Sequence, residues 1–292
     1  MEIELPGVYK ISAEEYHADP TSEPSLSRGV IKDLLFKSPA HAWHNHPKLN
    51  PNFKPDYGDG KFDAGTVAHD LLLEGLNRFT IIDAEDWRTK AAKEARDIVR
   101  SEGKTPLLRK QYDEALVMVK TAEEQIYECR ELKITNLKND GDTELTYIWY
   151  EDGVQFKVRS DWINKDRTLI LDYKTTGQSA NPFDLPRHII SLGYDIQSAL
   201  YQRGVRAIEK TEPRFVFIFQ ETGEPYLCSF IELPDPLLDM GKQKIENGIF
   251  LWRECMKTGN WFGYPKRVMK VEAPRWAIND WLFRNEKIGT EE

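Results

Sequence analysis

From Glu144 to Thr176 the sequence leaves a helical period and begins to alternate, and no other stretch restricts the fold as much. "ELTYIWYED", the turn "DG", "VQFKVRSDWI" and "TLILDYKTT" read as three strands, joined by a tight hairpin and the short loop "NKDR". Three charged residues, Asp161, Asp172 and Lys174, interrupt what otherwise reads as buried strand. An unpaired charge there is costly, so each lies at a strand end in water or serves a chemical purpose.

The flanking segments complete a fold class. A turn-rich lead precedes a helical pattern from about Ser27 to Trp43, which prolines stop near "NHPKLNP". After the loop "NFKPDYGDG", the segment "KFDAGTVAHDLLLEGL" carries Ala64, Val67, Ala68, Leu71 and Leu72 at three- and four-residue spacing. Two polar helical segments, about 84–101 and 108–129, read as a peripheral pair. Beyond the strands come a helix from about Leu192 to Val205, the strands "RFVFIFQE" and "EPYLCSFIEL", a long helix from about Pro236 to Met256, and an aromatic, basic tail. This order predicts an α/β fold with a mixed central β-sheet flanked by helices. A single domain over 1–292 is expected, with a helical lead-in over 1–60, a core over 61–260 that carries a helical insertion at about 84–129, and a tail over 261–292.

Composition narrows the function classes. Of 292 residues, 40% are hydrophobic, enough for a large core, and no run of eighteen apolar residues interrupts the chain. The start lacks a secretory pattern, so a soluble cytoplasmic protein without a membrane partner is expected. Cys129, Cys228 and Cys255 form no C-x-x-C pair, which argues against disulfides, zinc ribbons and a four-cysteine iron–sulfur cluster. The net charge of −8 speaks against a nucleic-acid partner, but its distribution is uneven: Arg88 to Lys110 holds eight basic residues against three acidic ones. That run is either a phosphate-facing helix or a solvated one.

Asp172 and Lys174 are two apart on a strand and leave it on the same face. If the hairpin closes by pairing Ile163 with Thr168, Asp161 falls opposite Ile170 and diagonal to Asp172, near enough for two carboxylates to converge on one cation. A one-residue slip would send Asp161 to the other face. The natural counter-ion is Mg²⁺ or Mn²⁺, and a lysine beside a metal-bound water could assist attack on a phosphate. The plainer alternative is an ion pair between Asp172 and Lys174 at a strand end, with Asp161 capping a turn. His69 lies off the apolar stripe of its helix, above Gly65 and Thr66, which leave its ring room to reach outward. The other five histidines, His17, His41, His44, His46 and His188, lack such company, and "HAWHNH" reads as a fraying helix end. Gln197 and Tyr201, four apart, share a helical face and suit a grip on a sugar-phosphate strand. Ser25, Ser27 and Arg28 stand at a helix start, where serine serves as an N-cap or helps hold an anion.

"SDWI", eleven residues and "DYK" resemble the PD-(D/E)xK nuclease signature, with Ser160 in the place of the proline. "GTVAHDLLLEG" resembles the family's histidine-bearing helix, and "GYDIQSALYQRG" the Q-x-x-x-Y helix of its RecB-like and lambda-exonuclease-like branch. "EEYHADPTSEPSLSRGVIKDLLFKSPAH" and "GKTPLLRKQYDEAL" resemble more narrowly the nuclease domain of RecE-type exonuclease VIII and its prophage relatives. The likeness implies a restriction-endonuclease-like core, Asp161, Asp172 and His69 as metal ligands, Lys174 as the catalytic lysine, and Gln197 with Tyr201 on nucleic acid. Glu144 holds the place of an acid that relatives often have before the strand pair. The implied activity is a Mg²⁺-dependent exodeoxyribonuclease, Mn²⁺ substituting and no iron–sulfur cluster, acting 5′-to-3′ on ends of linear double-stranded DNA and leaving 3′ single strands for recombination. The implied partners are DNA ends, a single-strand annealing protein and further copies in a ring. The alternatives are a single-strand or structure-specific endonuclease on the same fold, a non-catalytic DNA-end or recombinase-binding module, and a phosphodiesterase of nucleotides.

Overall fold

The structure of the protein, a computed structural model, describes residues 2–54, 64–73 and 79–288. The expected boundary at residues 60 and 61, and both ends of the segment "KFDAGTVAHDLLLEGL", lie outside the described residues. The chain divides into a body, Met1–Phe262, and a C-terminal unit, Gly263–Glu292.

The body opens with β1 (Gly7–Tyr9), α1 (Ala13–His17), β2 (Ser25–Leu26), α2 (Arg28–Phe36) and α3 (Pro39–His44). The single helix expected over this last stretch is two, because Pro39 belongs to the first turn of a new helix and cannot continue an old one. Next come α4 (Ala64–Leu73), β3 (Phe79–Ile82), α5 (Lys90–Ser101), β4 (Thr105–Leu108), α6 (Arg109–Glu128) and α7 (Leu137–Asp140). The expected strands follow as β5 (Gly141–Glu151), β6 (Val154–Asn164) and β7 (Leu169–Thr176). α8 (Leu185–Leu192) and α9 (Tyr194–Glu209) lead to β8 (Arg214–Glu221), and β9 (Cys228–Glu232) and α10 (Asp235–Thr258) close the body. In the C-terminal unit, read from sequence as a tail, α11 spans Arg275–Ile288.

Seven strands form one mixed sheet in the order β1–β5–β6–β7–β8–β9, with β2 parallel to β6. β5, β6 and β7 make an antiparallel meander, whereas β7 and β8 run parallel and so need the crossover that α8 and α9 supply. On one face Ile31 and Leu34 of α2, Ile196 and Leu200 of α9, and Ile245 and Ile249 of α10 pack against Tyr147, Phe156 and Phe217. α10 crosses α9 closely: a Cβ on Gly241 would sit 2.3 Å from the Asp195 carbonyl oxygen. On the other face, Ala68 and Leu72 of α4 and Met118, Ala122 and Ile126 of α6 cover Leu171, Tyr173 and Ile218. α6 is thus a core helix and not one of a peripheral pair; its buried stripe, Ala115, Met118, Ala122 and Ile126, was obscured by the charge on its outer side. α5 does stay outside; of the basic run, Arg88 just before it and Lys90 in its first turn have side chains each 91% exposed, while Arg96 is 27% exposed.

The lead-in is part of the sheet, through β1 on β5 and β2 on β6. Asp19, fully buried, ties it down. Its carboxylate accepts from the Ser25 N–H (3.0 Å), the Ser25 hydroxyl (2.5 Å) and the Thr21 hydroxyl (2.9 Å), and lies 2.9 Å from the Lys157 ammonium and 3.4 Å from His46 Nε2. Burial disfavours the Asp19 charge, but Lys157 and the Ser25 hydrogen bonds outweigh it and hold its pKa below the usual carboxylate range. A carboxyl depressed in the folded state stabilises above its unfolded pKa, near 4, and loses that contribution as pH falls below it. Asp19→Asn leaves Lys157 without its carboxylate and is expected to cost about 3–5 kcal/mol at pH 7 in denaturant titration. The gap to the unsubstituted protein should shrink as pH drops below about 4.

Candidate active site

Between β6 and β7 the turn is held by Asn164, whose side-chain oxygen accepts from the N–H groups of Thr168 (2.8 Å) and Leu169 (2.9 Å), while Arg167 takes a left-handed backbone with φ 58°. This wider turn pairs Ile163 with Ile170 and Trp162 with Leu171, in place of the expected Ile163 with Thr168. The shift is two residues, and an even shift preserves the face. Continued by one step, the register sets Asp161 level with Asp172. There the ladder stops, and the Asp161 carboxylate accepts the Tyr173 N–H at 2.9 Å in place of a backbone carbonyl.

The β5–β6 ladder has a matching gap. It runs from Gly141 opposite Asn164 to Glu151 opposite Val154 and omits Glu144, the residue level with Asp161. Glu144 has φ 57°, a conformation that costs a non-glycine residue of order 1–3 kcal/mol and persists only where its surroundings enforce it. The core alternation changes phase at the same level: Val154, Phe156 and Val158 enter the larger core before it, Ile163 after it. Three neighbouring strands therefore interrupt regular pairing at one level, and each carries a carboxylate there.

α4 sets His69 above this break, with Nε2 3.3 Å from Asp161 Oδ2 and Nδ1 3.6 Å from Asp70 Oδ1. One donor atom each from His69, Glu144 and Asp161 lies within 4.8 Å of the others. Asp172, expected beside Asp161 as a ligand, is fully buried and outside that group; it pairs with the Lys174 ammonium and accepts from the Gln197 amide at 2.5 Å. Lys174 Nζ also lies 4.0 Å from Asp161 Oδ2, so one ammonium spans both aspartates. Glu144 Oε2 is 2.9 Å from Arg159 Nε. Gln197 turns inward to Asp172, and Tyr201 packs edge-on to Phe215 in the core, so neither presents itself at the surface. Ser27 is the N-cap of α2, accepting from the Val30 N–H, and Ser25 is committed to Asp19.

Electrostatics separates these groups. Burial works against a charge on His69, but Asp161, Asp70 and Glu144 outweigh it and raise the imidazole pKa to about 10. Burial also opposes the charge on Asp161, which Lys174 and His69 nevertheless hold low; Asp172 is pushed up by burial and by repulsion from Asp161. Two adjacent carboxyls split in this way are the pattern of a site built for a cation or a shared proton. An imidazole with carboxylate oxygens suits a small hard divalent ion, Mg²⁺ or Mn²⁺, the nitrogen extending the range toward Mn²⁺. His69, Glu144 and Asp161 fit that role.

A family profile, described as a PDDEXK-like domain of unknown function (DUF3799), matches residues 30–273. The chain belongs to this family. The DUF3799 match spans every strand of the break and both helices that serve it, α4 and α9. A crystal structure from Eubacterium rectale, of a protein provisionally assigned as an exonuclease, shares the fold of this DUF3799 member at TM-score 0.58 and 14% identity, covering 92% of this chain and 98% of its own. An alkaline exonuclease from Laribacter hongkongensis aligns at TM-score 0.28 and 14% identity, covering 68% of this chain and 92% of its own, too loosely to support an argument. No curated protein matches the chain. Among the described residues no helix is long and apolar enough to cross a membrane.

Sequence reasoning missed Arg159 and Tyr194. Arg159 stands two residues before Asp161, inside the same motif stretch; the Tyr194 ring lies 5.8 Å from the Lys174 ammonium and 5.4 Å from the Arg28 guanidinium. The Glu144 carboxylate meets Arg159, and the packing of α9 brings Tyr194 to Lys174. Calorimetric titration with Mn²⁺ should show binding that Asp161→Asn and His69→Ala each weaken by about 10–100-fold or more. Unchanged affinity in both variants would remove the ion from these residues.

Proposed function

We propose that the protein is a metal-dependent exodeoxyribonuclease that hydrolyses phosphodiester bonds from the ends of linear double-stranded DNA. The observation that carries this reading is the Lys174 ammonium spanning Asp161 and Asp172, with His69 and Glu144 converging on Asp161 from the neighbouring elements. His69, Glu144 and Asp161 would hold Mg²⁺ or Mn²⁺, with Asp172 close by. When bound, the ion supplies charge neutralisation at the scissile phosphate and a more acidic water. Lys174 acts as a fixed positive charge and hydrogen-bond donor to the attacking water or to a phosphate oxygen. Gln197 keeps the Asp172 carboxylate turned toward Lys174 by donating to its other oxygen. Tyr194, buried against Phe217 and Phe219, backs the Lys174 ammonium and the Arg28 guanidinium with its ring.

The likeness of the motifs to RecE-type nucleases supports the finer points: 5′-to-3′ direction, a 3′ single strand left for an annealing protein in recombination, and a homo-oligomeric ring. An acidic exterior is compatible with a ring whose channel is basic. The test is a time course on linear duplex labelled separately at each end, beside a covalently closed circle, with and without Mg²⁺. The expected result is Mg²⁺-dependent loss of the 5′ label first and an intact circle. Cutting of the circle at the linear rate, or no hydrolysis of either with Mg²⁺ or Mn²⁺, contradicts the proposal. Lys174→Ala should lower the rate by about 10²–10³-fold or more while the melting temperature shows a folded body.

A further inference from the structure

Phe183 is 91% exposed, more than any other aromatic side chain among the described residues of the body. It stands one residue before Asp184, the N-cap of α8. An apolar residue in that place often folds back onto the first turns of its helix. Phe183 stays in solvent instead, although its backbone is pinned. The Asn181 side-chain oxygen accepts the Phe183 N–H at 3.1 Å, and the Asp184 N–H donates to the Asn181 carbonyl at 2.9 Å. The Ala180 N–H donates to Glu221 Oε1 at 2.8 Å, which ties the segment to the end of β8. A ring held out in water on a fixed backbone adds nothing to the core.

Arg187 and Ile190 follow at four and three residues, so they share its side of α8, and both are exposed. Leu185 and Ile189 lie on the opposite side, buried in the larger core. This exposed row is close to the candidate site. β7, which carries Asp172 and Lys174, leads directly into the Phe183 segment. His188 of α8 meets the Tyr194 ring edge-on at 6.1 Å, and that ring lies 5.8 Å from the Lys174 ammonium. At the end of α8 the Leu192 carbonyl accepts from the Arg28 guanidinium at 2.6 Å. Phe183, five residues before His188, is thus on the order of 20 Å from Lys174, a reach of about six stacked nucleotides.

A ring, a guanidinium and an aliphatic side chain in one row suit an unpaired nucleic-acid strand. The ring is a platform for a base, the guanidinium meets a phosphate, and the aliphatic group packs on sugar. A duplex keeps its base faces stacked on one another and offers the ring none. Three side chains also fall well short of the roughly 800 Å² that a stable protein interface buries on each partner. We propose that the Phe183–Arg187–Ile190 face of α8 binds an unpaired stretch of DNA beside β7, with Phe183 stacked on one of its bases. The proposal rests on the nuclease reading and adds to it the place where a strand separated from the duplex is held.

The experiment measures, by fluorescence anisotropy, binding of a blunt duplex and of the same duplex with an overhang of about ten nucleotides, 3′ or 5′, a length that exceeds the reach to Phe183. Ca²⁺ replaces Mg²⁺ at concentrations where the DNA is recovered intact. An overhang of one polarity should tighten binding about 5–100-fold over the blunt duplex. Phe183→Ala should lose most of that gain and leave blunt-duplex affinity unchanged. Phe183→Leu, apolar but without a ring, should lose it too, whereas Phe183→Trp should keep it. Abasic sites placed one at a time along the overhang should weaken binding at one position, and that effect should vanish in Phe183→Ala. Arg187→Gln should reduce the salt dependence by about one phosphate contact. An overhang gain that survives in Phe183→Ala, or that Phe183→Leu retains, overturns the proposal. So does a change in the number of associated copies on sedimentation of Phe183→Ala, which would assign the face to a second copy of the chain. Duplex binding with no gain from either overhang contradicts this inference alone; failure of the unsubstituted protein to bind any of these DNAs contradicts the nuclease reading itself.

Discussion

One ammonium group between two aspartates holds much of this structure to its shape. Asp172 is fully buried, and a buried carboxylate without a partner costs several kcal/mol. Lys174 offsets that cost only if β7 turns both side chains to one face, which its two-residue period ensures. For the same ammonium to reach Asp161, β6 and β7 must stop pairing at that level, which they do where Asp161 takes the Tyr173 N–H. The remaining Asp172 oxygen requires a donor from above, and α9 packs so that Gln197 provides it. The crossover between β7 and β8, which fixes where α9 lies, is therefore as much a part of the site as the strands.

Much of this was legible in the chain. Alternation over Glu144–Thr176 showed the meander, because a period of two identifies a strand wherever one face is covered, and it placed Asp172 with Lys174. His69 stood out for lying off its apolar stripe. The exact pairing of β6 with β7 was not legible, since it depends on Asn164 bracketing the turn with its side chain; only the evenness of the error kept Asp161 on the correct face. The role of Glu144 was fainter still, because a left-handed residue within a strand leaves no trace in hydrophobic period. β1 and β2, three and two residues long, are too short to carry any period. The Asp19 node was hidden for another reason: it joins residues 19, 46 and 157, whose proximity only the closed sheet creates, and it gave His46 a partner that its sequence neighbours did not suggest.

The spacing of Gln197 and Tyr201 showed that they share a helical side, but not that this side points into the protein. That orientation changes what the pair does. Gln197 works through Asp172, and Tyr194, buried like Tyr201, lies against Lys174 and Arg28. The fold shared with the Eubacterium rectale protein at 14% identity sets the frame and leaves the chemistry to the side chains in it. Here that chemistry depends on where carboxylates meet cations.

On the proposed reading, the break across β5, β6 and β7 holds a divalent ion beside Lys174. Anomalous diffraction from crystals grown with Mn²⁺ tests it most directly. A peak is expected within ligand distance of His69 Nε2 and of the Glu144 and Asp161 carboxylates, absent in Asp161→Asn. Mn²⁺ peaks elsewhere on the protein, with none at these three residues, would contradict it.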